Sequence, residues 1–120
     1  MQILVVDDEP AVRDSLERAL RLEGYETAVA ADGEQALAAL EKDGTDAVVL
    51  DVMMPHVDGW EMLRRIQERH GAGAIPVLMF SGQVDEAARR QAASSGASGF
   101  VGKPFDLGEL VDQAKAIVPV

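Results

Sequence analysis

A chain of 120 residues, 48% of them hydrophobic, has the size and apolar content of one compact domain, and its lack of cysteine excludes a disulfide framework or a thiolate metal site. Its formal charge of -10 repels phosphate backbones and anionic headgroups, so direct binding of nucleic acid or membrane by this domain is not expected.

The first residues, Met1 to Val6, run straight into Asp7-Asp8-Glu9, which gives neither a basic leader nor an apolar stretch long enough for a bilayer. With cysteine absent, a cytoplasmic location is expected. Residues 3–6 read as a strand. Pro10 then suits the first turn of a helix whose inward positions are Val12, Leu16, Ala19 and Leu20. A second strand covers 27–30, and Asp32 with Gln35 forms a capping-box pattern before Ala36, Leu37 and Leu40. The third strand, 47–50, is followed by a cap at Asp58 with Glu61 and by Met62, Leu63 and Ile66 at helical spacing. The fourth, 77–80, leads to a helix over roughly 84–93 whose inward candidates are Ala87, Ala88 and Ala92. The fifth, 99–101, precedes a cap at Asp106 with Glu109 and the inward set Leu107, Leu110, Val111, Ala114 and Ile117.

Strand and helix therefore alternate five times. Strands that are apolar throughout must be covered on both faces, which implies a parallel sheet and a doubly wound α/β domain occupying residues 1–120. The alanine-lined fourth helix has two readings: a loosely held element that can move, or a small-residue helix packed close to the sheet.

Polar residues stand just past the ends of four strands: Asp7 and Asp8, Asp51, Ser81 and Lys103. In open parallel sheets that edge binds ligands. Carboxylates converging there repel one another unless protonated or neutralised by a cation. Magnesium suits such a place, since it prefers oxygen ligands and holds one or two carboxylates together with waters and phosphate oxygens, whereas calcium asks for more protein ligands than are visible. Phosphoryl-transfer chemistry then makes Asp51 the nucleophile, magnesium the charge-spreading ion, and Lys103 and Ser81 the donors to the transferring group.

Four motifs, Val5-Val6-Asp7-Asp8-Glu9-Pro10, Leu50-Asp51-Val52-Met53-Met54-Pro55 with Asp58-Gly59, Phe80-Ser81-Gly82, and Gly99-Phe100-Val101-Gly102-Lys103-Pro104-Phe105, are distributed along the chain, and the resemblance they carry covers essentially all of it. Together they resemble the signatures of receiver domains of two-component response regulators. The resemblance implies a flavodoxin-like (βα)5 fold with a five-stranded parallel sheet of order 2-1-3-4-5. The third strand then lies between the first and fourth, with Asp8 and Ser81 about 5 Å, one strand spacing, to either side of Asp51. It further implies that Asp51 is the phosphoacceptor, that Asp8 binds Mg2+ directly and Asp7 through water, and that the backbone carbonyl of Met53 is another ligand. Lys103 pairs with the phosphoryl group, and Ser81 and Phe100 form a conformational switch. The bond between Lys103 and Pro104 is expected to be cis. Ser81 stands where many relatives have threonine and Phe100 where many have tyrosine, so the aromatic cannot offer a hydroxyl, and Gly82 leaves room for the phosphodonor.

The implied function is a bacterial signalling switch, not a turnover enzyme. It accepts phosphoryl from the phosphohistidine of a sensor histidine kinase or a phosphotransfer protein, and loses it slowly to water. Its output face is formed by the fourth helix, fifth strand and fifth helix, which is also the expected surface of a phosphorylation-dependent dimer. The bland readings are that Asp51 only forms a turn, that Asp7 and Asp8 only cap one, and that Lys103 is a solvated lysine. His56 and His70 are expected to be exposed and inert, Trp60 to be partly in the core or a partner contact, and Arg89-Arg90 to be a solvated face or a contact for an acidic partner. Haloacid-dehalogenase phosphatases need two aspartates separated by one residue after the first strand, and no such pair exists here. A flavodoxin-type cofactor phosphate would be repelled by Asp7-Asp8-Glu9. A degenerate receiver serving only as a binding module is opposed by the acidic pair with Asp51 and Lys103.

Overall fold

Five apolar segments pair side by side in the computed structural model, which describes residues 1–42, 44–52, 59–71, 74–81, 86–102 and 107–118, with Ser81, Glu86 and Leu107 described for their backbone. They are β1 (Gln2–Val6), β2 (Glu26–Ala30), β3 (Thr45–Asp51), β4 (Val77–Ser81) and β5 (Gly99–Gly102), all parallel, in the order β2-β1-β3-β4-β5. The helices are α1 (Pro10–Leu22), α2 (Gly33–Leu40), α3 (Gly59–His70), α4 (Glu86–Ser94) and α5 (Leu107–Ile117). This is the expected doubly wound, flavodoxin-like arrangement. Among the described residues no helix is long and apolar enough to cross a membrane.

The order of the strands decides which face each helix covers. The chain steps one way from β1 to β2 and the other way from β2 through β3 and β4 to β5. Because parallel crossovers are right-handed, reversing direction reverses the face. Two cores result. Leu4, Val6, Val48, Leu50 and Met79 point to the side of Ala36, Leu40, Met62, Leu63, Ile66 and Ala92. The alternate strand residues Ile3, Val5, Val49, Leu78, Phe80 and Val101 meet Leu16, Leu20, Leu110, Val111 and Ala114 of α1 and α5. The period of two along each strand sends neighbours to opposite cores, which is why the central positions of the inner strands, residues 3–6, 47–50 and 77–80, are all apolar.

Local signals explain the helix boundaries. Pro10 opens α1 at its first position, following an extended Glu9 that makes no side-chain cap. Gly24, at φ 100°, closes the helix: its N–H donates to the Arg21 carbonyl at 3.0 Å, and the Tyr25 N–H donates to Leu20 at 3.2 Å. That pair of bonds is a Schellman ending, which favours glycine at the left-handed position. Asp32 caps α2 by accepting from the Gln35 N–H at 2.8 Å, but Gln35 reaches back to the N–H of Ala31, at 2.9 Å, one residue before the expected box partner. The expected caps at Asp58 and Asp106 lie outside the described residues.

Three expectations need correction or refinement. Ala87 is exposed, so the described part of α4 meets the apolar core through buried Ala92 and partly buried Ala88; a 100° turn per residue carries Ala87 off the inward face. His70 is half-buried where exposure was expected, because it ends α3 beside the sheet's amino edge, and its Nε2 has no hydrogen-bond partner among the described residues. Trp60 packs against the core, which supports the packing reading over a free partner contact. Tyr25 is buried and its hydroxyl donates to the carbonyl of Val118, tying the end of α5 to the start of β2. Burial pushes this hydroxyl above the usual tyrosine pKa, while Lys115 acts in the opposite direction.

Candidate functional site

Reversal of winding leaves the helices on either side of the β1–β3 boundary diverging to opposite faces, opening a crevice at the carboxyl ends of those strands. Asp7, Asp8 and Asp51 meet there. The register pairs Val6 with Leu50, so the next residues, Asp7 and Asp51, come level across the boundary. Asp8 lies one residue beyond. On the other side Asp51 is level with Phe80, and Ser81 continues past it opposite Gly102. One carboxylate oxygen from each of the three aspartates lies within 4.8 Å of the other two. Asp7 and Asp51 are buried and Asp8 is exposed, which makes a floor of two carboxylates with the third at the mouth.

Each buried aspartate is fixed through its backbone. Asp7 donates its N–H to the Ala30 carbonyl at 3.2 Å, and its Oδ1 accepts from the Glu9 N–H at 2.9 Å, an Asx-type turn that bends the chain into α1. Its carbonyl accepts from Arg13 Nη1 at 2.7 Å. Beyond Asp51, the Val52 N–H donates to Phe80 at 2.9 Å and the Val52 carbonyl accepts from the Gly59 N–H at 2.7 Å. The start of α3 therefore rests directly on the chain at Asp51. A Cβ at Gly59 would stand 2.5 Å from Val52 Cα and 2.7 Å from the Asp51 carbonyl oxygen, so only glycine fits without moving backbone.

The chemistry of this donor set is that of a hard cation site: three carboxylates, oxygen ligands only, crowded at a distance where they repel one another unless a positive charge intervenes. The residues present fit a divalent ion, and two of them lie below the surface where charge is least well screened.

Met53 and Lys103, expected at this site, lie outside the described residues, as does Gly82. Ser81, expected just past the fourth strand, is the last residue of β4. Phe100 is buried on β5, on the face of α2, α3 and α4, and its ring stacks on Trp60 with centroids 6.4 Å apart and planes inclined by 9°. Neither that contact nor the Arg13 bond was anticipated. Arg13 stands one turn into α1, and its place six residues after Asp7 is the only sequence signal for it.

Comparison with known proteins agrees with this arrangement. The family model described as "Response regulator receiver domain" matches residues 3–115. Among curated proteins the chain is similar to the response regulator MprA of Mycolicibacterium vanbaalenii, with 41% identity over 118 residues that make up 98% of this chain and 50% of that protein. Similarity to the transcriptional regulatory protein TrcR of Mycobacterium tuberculosis is 39% over 118 residues, 98% of this chain and 45% of the relative. The chain thus spans about half the length of the curated relatives it matches. Among solved structures, chemotaxis protein CheY4 of Vibrio cholerae superposes with a TM-score of 0.90 at 29% identity, covering 98% of each chain. A putative response regulator from Chloroflexus aurantiacus gives 0.88 at 37%, covering 97% of this chain and 95% of the other.

Proposed function

Because this chain belongs to the receiver domains of two-component response regulators, we propose that residues 1–120 form a receiver that takes a phosphoryl group onto Asp51. The observation that carries this reading is the convergence of Asp7, Asp8 and Asp51 at the crevice between β1 and β3. Asp51 is the nucleophile because it sits between β1 and β4, whereas the Asp7 carboxylate is already bent back onto the Glu9 N–H. An Asp51 oxygen attacks the phosphorus of a phosphohistidine on a sensor histidine kinase or phosphotransfer protein. The P–O bond forms as the P–N bond breaks, and the electron pair leaves with the imidazole. The product is an acyl phosphate, lost slowly to water, so the domain acts as a switch.

Magnesium, when bound, supplies the charge that offsets the carboxylates and the phosphoryl oxygens. Asp8 and Asp51 would hold it directly, Asp7 through water, and the carbonyl of Met53 would complete the protein ligands. Lys103 pairs with one phosphoryl oxygen and the Ser81 hydroxyl donates to another. Drawing Ser81 inward lets Phe100 reorient, and α4, held by alanines, follows. The face of α4, β5 and α5 then carries the output or a second receiver. With a formal charge of -10, this domain is poorly suited to touch DNA itself. A DNA-directed output, as the name of the relative TrcR suggests, would fall to another module. The site of action is the bacterial cytoplasm.

The test is incubation with acetyl phosphate followed by intact mass. One phosphoryl adduct is expected in wild type with magnesium. None is expected in Asp51→Asn or in excess chelator, and a full adduct in either would contradict the reading.

A further inference from the structure

We propose that Arg13 is a positioning residue for the metal centre, one that fixes the peptide between Asp7 and Asp8 and so decides where the Asp8 carboxylate points. The assignment rests on the reading of the three aspartates as a magnesium site. Arg13 is half-buried in the first turn of α1, and its Nη1 donates to the Asp7 carbonyl at 2.7 Å, a charge-assisted bond at the short end of the range. That carbonyl belongs to the peptide plane joining Asp7 to Asp8. The plane is rigid from one Cα to the next, so holding its oxygen also sets the direction in which the chain leaves for Asp8.

Two further bonds hold the chain on either side of that peptide. The Asp7 N–H bond to Ala30 fixes the chain before the plane, and the Asp7 Oδ1 bond to the Glu9 N–H fixes it after Asp8. Of these bonds only the one from Arg13 holds the peptide between them. Asp8 is exposed, so packing does little to set its direction.

A guanidinium beside a cation site also repels the cation, and the two effects have opposite signs. Positioning predicts that losing Arg13 weakens magnesium binding; repulsion alone predicts that losing it tightens binding. Groups that orient metal ligands from outside the coordination sphere typically change affinity by about 10- to 100-fold when removed.

The experiment is calorimetric titration of the metal-free protein with magnesium alone, at fixed ionic strength, on wild type, Arg13→Met, Arg13→Gln and Arg13→Lys, each checked by a metal-free melt. Arg13→Met keeps the apolar stem without a donor and is expected to bind about 10- to 100-fold more weakly. Arg13→Lys keeps a charged donor and is expected to recover most of that loss. Arg13→Gln carries the test should Arg13→Met not fold. Affinity unchanged or tightened in the neutral variants overturns the assignment while leaving the metal site standing. Wild type that takes up no magnesium overturns the site itself, and the role of Arg13 with it.

Discussion

Replacing Gly59 by alanine puts one methyl group where the structure has backbone on two sides. The new Cβ would sit 2.5 Å from Val52 Cα and 2.7 Å from the Asp51 carbonyl oxygen, and neither can swing aside as a side chain could. Forcing a methyl group into a packed site costs about 1 to 3 kcal/mol. Separating the start of α3 from β3 also strains the 2.7 Å bond from the Gly59 N–H to Val52, worth about 0.5 to 1.5 kcal/mol. Alanine returns up to about 1 kcal/mol through its better helix propensity, less at a first-turn position. A net loss of about 0.5 to 4.5 kcal/mol remains, and at about 4 °C per kcal/mol for a domain of this size the melting temperature should fall by roughly 2 to 18 °C. Since the displaced backbone carries Asp51, phosphorylation by acetyl phosphate should slow as well. Gly24→Ala is the control: it is strained by its φ of 100° and should destabilise the domain without slowing phosphorylation. Circular dichroism melts in chelator and timed intact-mass measurements give both quantities. Gly59→Ala that melts with wild type, or slows phosphorylation no more than Gly24→Ala does, would refute the close approach.

Magnesium should raise the melting temperature, by the equivalent of about 2.7 kcal/mol at one hundred times its Kd, and should do so far less in Asp8→Ala; equal shifts in the two proteins would count against the acidic centre. Tyr25 has a raised pKa in the fold, so its contribution is fully present below the ordinary tyrosine pKa and is lost as pH rises toward the folded value. Urea unfolding should show wild type losing stability at strongly alkaline pH more steeply than Tyr25→Phe, and parallel curves would contradict this. Beryllofluoride, standing in for the phosphoryl group, should change hydrogen exchange in α4 and at Phe100 and alter the fluorescence of Trp60, the sole tryptophan, through its stack on Phe100. Turning such a switch needs about 5.5 kcal/mol, which contacts from Ser81 and Lys103 at about 1.5 to 3 kcal/mol each can only just supply together. Ser81→Ala should therefore respond weakly, and a full response would sink the proposed coupling.

The inner strands were legible because residues 3–6, 47–50 and 77–80 are unbroken apolar runs, and a run buried on both sides needs no finer pattern. The acidic triad was legible because its members sit immediately after such runs, where sheet geometry brings separate loops together. What escaped depends on directions that spacing does not encode. Ala87, placed inward by composition alone, faces solvent, since a helix of small residues gives no amphipathic stripe from which to set its rotation. The Arg13 bond requires the chain to double back at Glu9, a turn written in one Asx contact. Trp60 and Phe100 are 40 positions apart and meet because α3 and β5 share a face of the sheet, a contact visible only after topology has assigned both.

The most direct test of the central claim locates the phosphoryl group by its bond type and position. After reaction with acetyl phosphate and magnesium, borohydride reduces an aspartyl phosphate to homoserine, and peptide mapping reads the residue changed. The account predicts homoserine at position 51 alone, formed only when magnesium is present; homoserine at position 7 or 8, or a phosphoryl adduct that resists borohydride, would contradict it.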